Sequence, residues 1–292
     1  MSAPARATDI VFTRHTASRG IVWLKEAYAM FSRARMPWLV LISLYYLILL
    51  LASRIPLVGH VVVSLLKPVL AVGLLAAAWT HERGSRPAMG HLFKGFRSNL
   101  RALLMLGAVF FAGITAAVLA TALFDGGVLL DLLSSEARPA ADSTTSAKPA
   151  DRPSPEELLK TGRLQLSMLL AVLFSMPTIL GLWFAPALVV FQDAGPGAAI
   201  GASLRAALGN WRPLIVYGLA VMLVGAMLPV IVAQFVVMLL PSQATFTLVW
   251  ILFFAYGLMF AVTLHIADYV SYRDVFHAGE TLAPLTARSG DR

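Results

Sequence analysis

One lysine, Lys67, stands inside an otherwise uncharged apolar run of this 292-residue chain, and it is the side chain best placed to do chemistry. An ionised group within a membrane segment costs about 2.5–3.5 kcal/mol at the centre and marks a functional position by default. Lys67 lies within two turns of one end of its run, so its stem can also snorkel to the interface. A snorkelling or structurally bonded lysine is the first reading; a place in a polar path is the alternative. Pro68 beside it frees a carbonyl one turn earlier, and Gln165 and Gln234 are neutral acceptors that a path could use. His265 and Asp268 stand three residues apart, close enough on a helix to bond. They read as an interfacial polar cap, with a proton relay as the alternative.

Other chemistry fails on inventory or context. The chain has no cysteine, which removes disulfides, thiolate nucleophiles and thiol-ligated metals. His15, His60, His81, His91 and His277 form no ligand spacing with a carboxylate or with each other, so no metal and no cofactor is expected. Gly195, Gly197 and Gly201 enclose Pro196 and lack a βαβ unit, which argues for close helix packing rather than a dinucleotide cradle. Glu156-Glu157 with Arg163 has the residue types of intramembrane glutamate proteases at the wrong spacing, and Ser203 has no base placed to activate it. We therefore expect no enzyme.

The elements that must position these residues are membrane helices. With 59% hydrophobic and 13% charged side chains, the chain has too little polar surface to cover a soluble globule. A bilayer core of roughly 30 Å takes about 20 apolar helical residues, and six runs qualify: 37–53, 61–80, 102–124, 164–191, 214–240 and 245–266. Pro177, Pro186 and Pro229 should kink the fourth and fifth. The net charge of +8 gathers at the ends of these runs, as membrane flanks do, with no basic stretch suited to nucleic acid. Sixteen Lys and Arg flank one side: Arg6, Arg14, Arg19, Lys25, Arg33, Arg35, Arg83, Arg86, Lys94, Arg97, Arg101, Arg205, Arg212, Arg273, Arg288 and Arg292. Six flank the other, Arg54 and five in the loop 125–163, where seven carboxylates offset them. That bias predicts both termini in the cytoplasm. The first twenty residues hold no apolar core, so no cleavable signal is expected there.

The expected domains are a disordered cytoplasmic tail over 1–19, a six-span domain over 20–270 and a cytoplasmic tail over 271–292. A periplasmic insertion over 134–153, rich in Ala, Ser, Thr, Pro and Asp, should be disordered. A capping box at Ser154-Pro155-Glu156-Glu157 should restart helix.

Short amphipathic segments precede spans three and five. Met89, Leu92, Phe93 and Phe96 fall on one face of the first; Ile200, Leu204, Ala207 and Leu208 do the same in the second. A constant offset pairs Met89 with Ile200, Phe93 with Leu204, Lys94 with Arg205, Asn99 with Asn210, Arg101 with Arg212 and Gly107 with Gly218. A weaker copy with Leu24, Tyr28 and Phe31 precedes span one. The fold class expected is thus all-α membrane, built as three repeats of an interfacial helix plus a two-span hairpin. Asn99 and Asn210 read as hinges that cap helices. Lys25, Arg33, Arg35, Lys94, Arg97, Arg101, Arg205 and Arg212 read as contacts to anionic phospholipid headgroups on the cytoplasmic face.

Particular runs carry a family resemblance. Trp183-Phe184-Ala185-Pro186-Ala187-Leu188-Val189, then Ser203, Arg205, Asn210-Trp211, Pro213 and Tyr217-Gly218, resemble uncharacterised multi-pass inner-membrane proteins of proteobacteria. So do Ile55-Pro56-Leu57-Val58-Gly59, Pro68-Val69-Leu70, and Phe93 with Phe96-Arg97 and Asn99. More distantly the chain is similar to the membrane domain attached to some glycerophosphodiester phosphodiesterases, without their catalytic domain. The resemblance implies location and architecture but no activity. The function expected is a non-enzymatic scaffold, assembly or envelope-homeostasis factor acting through lipid or protein contacts; a transporter or channel between the repeats is the alternative.

Overall fold

Apolar length decides the longest helices. The computed structural model describes residues 10–56, 58–127, 129–130 and 162–277. Among these, six helical segments are long and apolar enough to cross a membrane: Arg35–Ser53, Gly59–Glu82, Leu100–Asp125, Leu164–Phe191, Trp211–Leu239 and Gln243–Phe276. Five of the six expected runs fall within them, and the fifth, 214–240, overruns its helix by one residue, Leu240. No strand occurs among the described residues. The expectations for 134–153 and for Ser154-Pro155-Glu156-Glu157 lie outside them.

In chain order the elements are α1 (Arg19–Arg33), α2 (Arg35–Ser53), α3 (Gly59–Glu82), a 3-10 helix (Met89–Arg97), α4 (Leu100–Asp125), α5 (Arg163–Trp183), α6 (Ala185–Phe191), α7 (Pro196–Gly209), α8 (Trp211–Ala220), a π-helical segment (Val221–Met227), α9 (Leu228–Leu239) and α10 (Gln243–Phe276). They form two compact units, Met1–Ala108 with Leu180–Arg292, and Val109–Ile179. In the second, Thr178 packs on Gly113 and Phe124 on Phe174. There Asp125 accepts from the backbone of Gly127 and Leu129, closing the end of α4.

The first unit is centred on α3, whose apolar window is 56% buried, against 6% for span five and 11% for span six. Small residues allow this density. A Cβ on Gly73 would overlap the backbone of Leu92, and one on Gly95 would overlap Val69, so the 3-10 helix lies directly on α3. At 34 residues α10 rises about 51 Å, well beyond a bilayer core. Its C-terminal turns pack on α1 and α3 through Tyr269, Val270, Tyr272 and Val275, all buried. Residues 271–276, expected in a tail, are therefore helix. Residues 10–18, also expected in a tail, are likewise held: Ile10 is buried and the Thr13 N–H donates to Val275 O at 2.7 Å.

Two of the three expected proline sites, Pro186 and Pro229, are met by a side chain from another helix. At the α5–α6 break before Pro186, Ser203 is fully buried, accepts from Phe184 N at 2.9 Å and donates to Leu180 O at 2.9 Å. Its hydroxyl is inserted into the helical ladder. In the π-helical segment the register is i to i−5, as the Leu228 N–H to Leu223 O bond records. Pro229 lacks the N–H that would reach Val224 O, and the Tyr256 hydroxyl donates to that carbonyl at 2.5 Å instead.

Candidate functional site

The most developed polar site joins α1, α3 and α10, and no sequence motif marks it. Along α1 the residues at 23, 27, 30 and 31 make a buried stripe of Trp23, Ala27, Met30 and Phe31. The same helix carries Arg19 and Glu26 toward the ends of α3 and α10. Asp274 is the hub, with its side chain only 8% exposed. Its Oδ2 accepts from Arg19 Nε at 2.5 Å and from Trp23 Nε1 at 2.9 Å, and its Oδ1 from Arg273 Nη2 at 3.2 Å. Arg273 also donates to Glu26 Oε2 at 2.6 Å and to Glu82. Glu82 accepts from the Tyr269 hydroxyl at 2.5 Å, and Glu26 from Arg19 Nη2 at 3.1 Å. Two guanidinium groups thus alternate with three carboxylates. The bond to Asp274 raises the Arg19 pKa above its ordinary value despite partial desolvation.

The N-terminal strap completes this end. Asn210, fully buried, accepts from His15 N at 2.8 Å and donates to Thr13 O and Ala206 O, each at 3.0 Å. His15 Nε2 lies 3.0 Å from Asp274 O. Aromatic rings pack beside it: Phe191 stacks on Tyr272, and Phe184 meets Phe276 edge-on. A network so fully bonded can hold three helices and a strap in register, but it leaves no free acid, base or nucleophile.

The residues expected to act are distributed differently. Lys67 is exposed on α3, as snorkelling requires. Gln165 is exposed on α5 in the smaller unit. Gln234 is exposed on α9 and lines a cavity between α9 and α10. His265 and Asp268 come together, with Nδ1 and Oδ2 3.5 Å apart, and His265 also meets the Tyr45 ring. Asn99 accepts from Ala102 N at 3.4 Å as a cap. Asn210 sits between α7 and α8: its backbone N–H and its amide both donate to Ala206 O in the last turn of α7, while its side chain makes no cap bond to α8 and is otherwise used by the strap. Both asparagines stand where a short helix meets its span, and Asn210 alone of the two also bonds to residues 10–18.

Lys25, Arg33, Arg35, Arg97, Arg101, Arg205 and Arg212 are exposed and Lys94 is half-buried. The apolar faces beneath them need correction. Tyr28 is exposed where Trp23 is buried. In the 3-10 helix, three residues per turn separate buried Leu92 and Gly95 from exposed Phe93 and Phe96. On α7 the buried residues are Ala199, Ala202, Ser203, Ala206 and Ala207, so of the expected face Ala207 is buried while Leu208 is exposed. Each segment thus presents cations beside large exposed apolar side chains.

These features are set in a membrane protein. A probable inner membrane protein of Burkholderia thailandensis is 26% identical over 281 residues, spanning 95% of this chain and 98% of that relative. No family profile matches the chain, and no solved structure matches it. The relative supports the likeness to inner-membrane proteins and does not bear on the phosphodiesterase membrane domains.

Proposed function

We propose that the chain is a multi-pass protein of a bacterial inner membrane, with both termini cytoplasmic, that works without catalysis as a scaffold, assembly or envelope-homeostasis factor by holding anionic phospholipid headgroups. The observation that carries this reading is the recurrence of one surface device before spans one, three and five. Tyr28 and Met36 are exposed with Lys25, Arg33 and Arg35; Phe93 and Phe96 with Lys94, Arg97 and Arg101; Leu208 and Trp211 with Arg205 and Arg212. Apolar side chains that enter the acyl boundary, ringed by cations at headgroup level, bind anionic membranes. Three such devices also support the three-repeat architecture. The cation bias described above supports cytoplasmic termini.

The alternative is a transporter or channel with a path between the repeats. Against it stands the chemistry of the interior: the main core is Leu, Val, Ala and aromatic side chains, Lys67 is exposed, and the polar groups of the charged network are bonded to one another. The test is lipid retention. Purified protein exchanged into mixed phosphatidylglycerol and phosphatidylcholine should keep phosphatidylglycerol selectively by native mass spectrometry. Replacing Arg97, Arg101, Arg205 and Arg212 with Gln should remove that selectivity; equal retention of both lipids by the unaltered protein refutes the reading. Orientation is tested separately: in intact cells an impermeant thiol reagent should label Ala140→Cys and spare Ala88→Cys.

A further inference from the structure

Outside the cationic surface, the strongest feature is a cluster of rings around Asp268 of α10. The other acids at this end of α10 are neutralised: Glu26 and Asp274 pair with Arg19, and Glu26, Glu82 and Asp274 all pair with Arg273. Asp268 differs. Its ion-pair partner among the described residues is His265, with Nδ1 3.5 Å from Oδ2, so no guanidinium or ammonium group bridges its partly exposed carboxylate.

Three rings stand beside this pair. The centroids of Tyr45, Tyr46 and His265 lie 5.1, 5.1 and 6.3 Å apart, with planes inclined to one another by 80°, 64° and 53°. The Asp268 charge acts on Tyr45 and Tyr46, and also on Tyr217 of α8, which meets Trp183 edge-on. Tyr45 and Tyr217 are only 5% and 7% exposed, yet their hydroxyls, like that of Tyr46, bond to none of the described residues. A buried phenol usually finds a partner. Neither hydroxyl is sealed inside the protein, so an outside group can reach both. The approach runs along the membrane face of α2, where Tyr46, Leu47 and Leu50 are exposed. Asp268 stands two residues past the apolar run 245–266, so lipid headgroups meet it there.

These groups select a cation. A carboxylate repels anions, aromatic faces attract positive charge, and phenol and carboxylate oxygens accept hydrogen bonds from it. A primary ammonium offers three N–H donors, whereas the trimethylammonium of choline offers none. We propose that Asp268, His265, Tyr45 and Tyr46 bind the primary ammonium headgroup of phosphatidylethanolamine, with Asp268 as its counter-charge and the phenol oxygens as further acceptors. This site is separate from the cationic surface and opposite to it in sign.

The experiment uses the full protein, delipidated and reloaded in detergent with an equal mixture of dioleoylphosphatidylethanolamine and dioleoylphosphatidylcholine, and measures bound lipid by native mass spectrometry. The two lipids share net charge and acyl chains and differ in the ammonium alone. The unaltered protein should prefer phosphatidylethanolamine roughly tenfold, the scale of one hydrogen bond to a charged group. Asp268→Asn, which keeps the shape and removes the charge, should abolish the preference, and Tyr45→Phe should reduce it about threefold, both with melting temperature unchanged. The preference should survive replacement of Arg97, Arg101, Arg205 and Arg212 with Gln, so its outcome is distinct from that of the anionic-lipid test. Equal retention of the two lipids by the unaltered protein overturns the proposal. A preference that persists in Asp268→Asn, or that the four Arg replacements remove, overturns it too. Loss of bound phosphatidylethanolamine to an excess of free ethanolamine does the same and assigns the site to soluble amines.

Discussion

The two ends of α10 are held by opposite chemistries. At its C-terminal end Arg273 and Asp274 sit in a network with Arg19, Trp23, Glu26, Glu82 and Tyr269, and the strap crosses over it through Asn210. At its N-terminal end α10 packs on α9 through apolar side chains, with Ala233, Val249 and Phe253 between a cavity on either side, and the polar bond tying it to span five there is Tyr256 to Val224 O. Directional bonds to charged groups fix one arrangement, and each depends on the rest. Apolar packing in lipid has no water to exclude and no directional bond to satisfy, so it fixes its partners less tightly. The contrast assigns rigidity to the C-terminal end and adaptability to the N-terminal one.

The largest effect should come from Asp274→Ala. It strands the Arg19 guanidinium and the Trp23 indole N–H together, and removing one partner of a buried ion pair costs about 3–5 kcal/mol. Arg19 is 34% exposed, so the lower figure applies. A melting temperature in detergent lowered by roughly 6–12 °C is expected. A fall of a degree or less would mean the network is ornamental and the comparison wrong.

Next comes the pair of asparagines that the sequence aligns. Asn210→Ala removes three hydrogen bonds from a fully buried amide and should cost about 2–3 kcal/mol, whereas Asn99→Ala removes one long cap bond and should cost about 0.5–1 kcal/mol. Proteolysis within residues 10–18 should accelerate only in the first variant. Equal losses would mean that the strap bonds of Asn210 add nothing to the role the two share.

Tyr256→Phe strands Val224 O in the apolar layer, at a cost of about 1 kcal/mol. Hydrogen exchange at the π-helical segment should rise, while exchange at the α1–α10 contact stays unchanged. If both regions loosen together, the two ends of α10 are not independent.

The smallest effect is reserved for Lys67→Leu. An exposed lysine on α3 gives up an insertion cost when replaced, so stability should hold or rise slightly. A melting temperature lowered by more than about ten degrees would return Lys67 to a polar path.

Local apolar length placed all six membrane-length helices, because spanning needs only enough consecutive apolar residues and that property is additive along the chain. The likeness to inner-membrane proteins was legible for the same reason, in runs such as Trp183 to Val189. Side-chain roles were not legible where they depend on partners distant in sequence. Ser203 had the look of an idle nucleophile until Leu180 and Phe184 were seen to use both sides of its hydroxyl. Arg19, Glu26, Glu82 and Asp274 were flanking charges in the sequence and became a network in space, since Arg19 and Asp274 are 255 residues apart. Asn99 and Asn210 share a register, yet only Asn210 meets the strap. The sequence by itself determined how many helices are long and apolar enough to cross a membrane and where charge gathers, because those follow from composition within a window. The tertiary structure alone decided which polar groups are paired, because a hydrogen bond is a fact of distance and angle that no window of sequence contains.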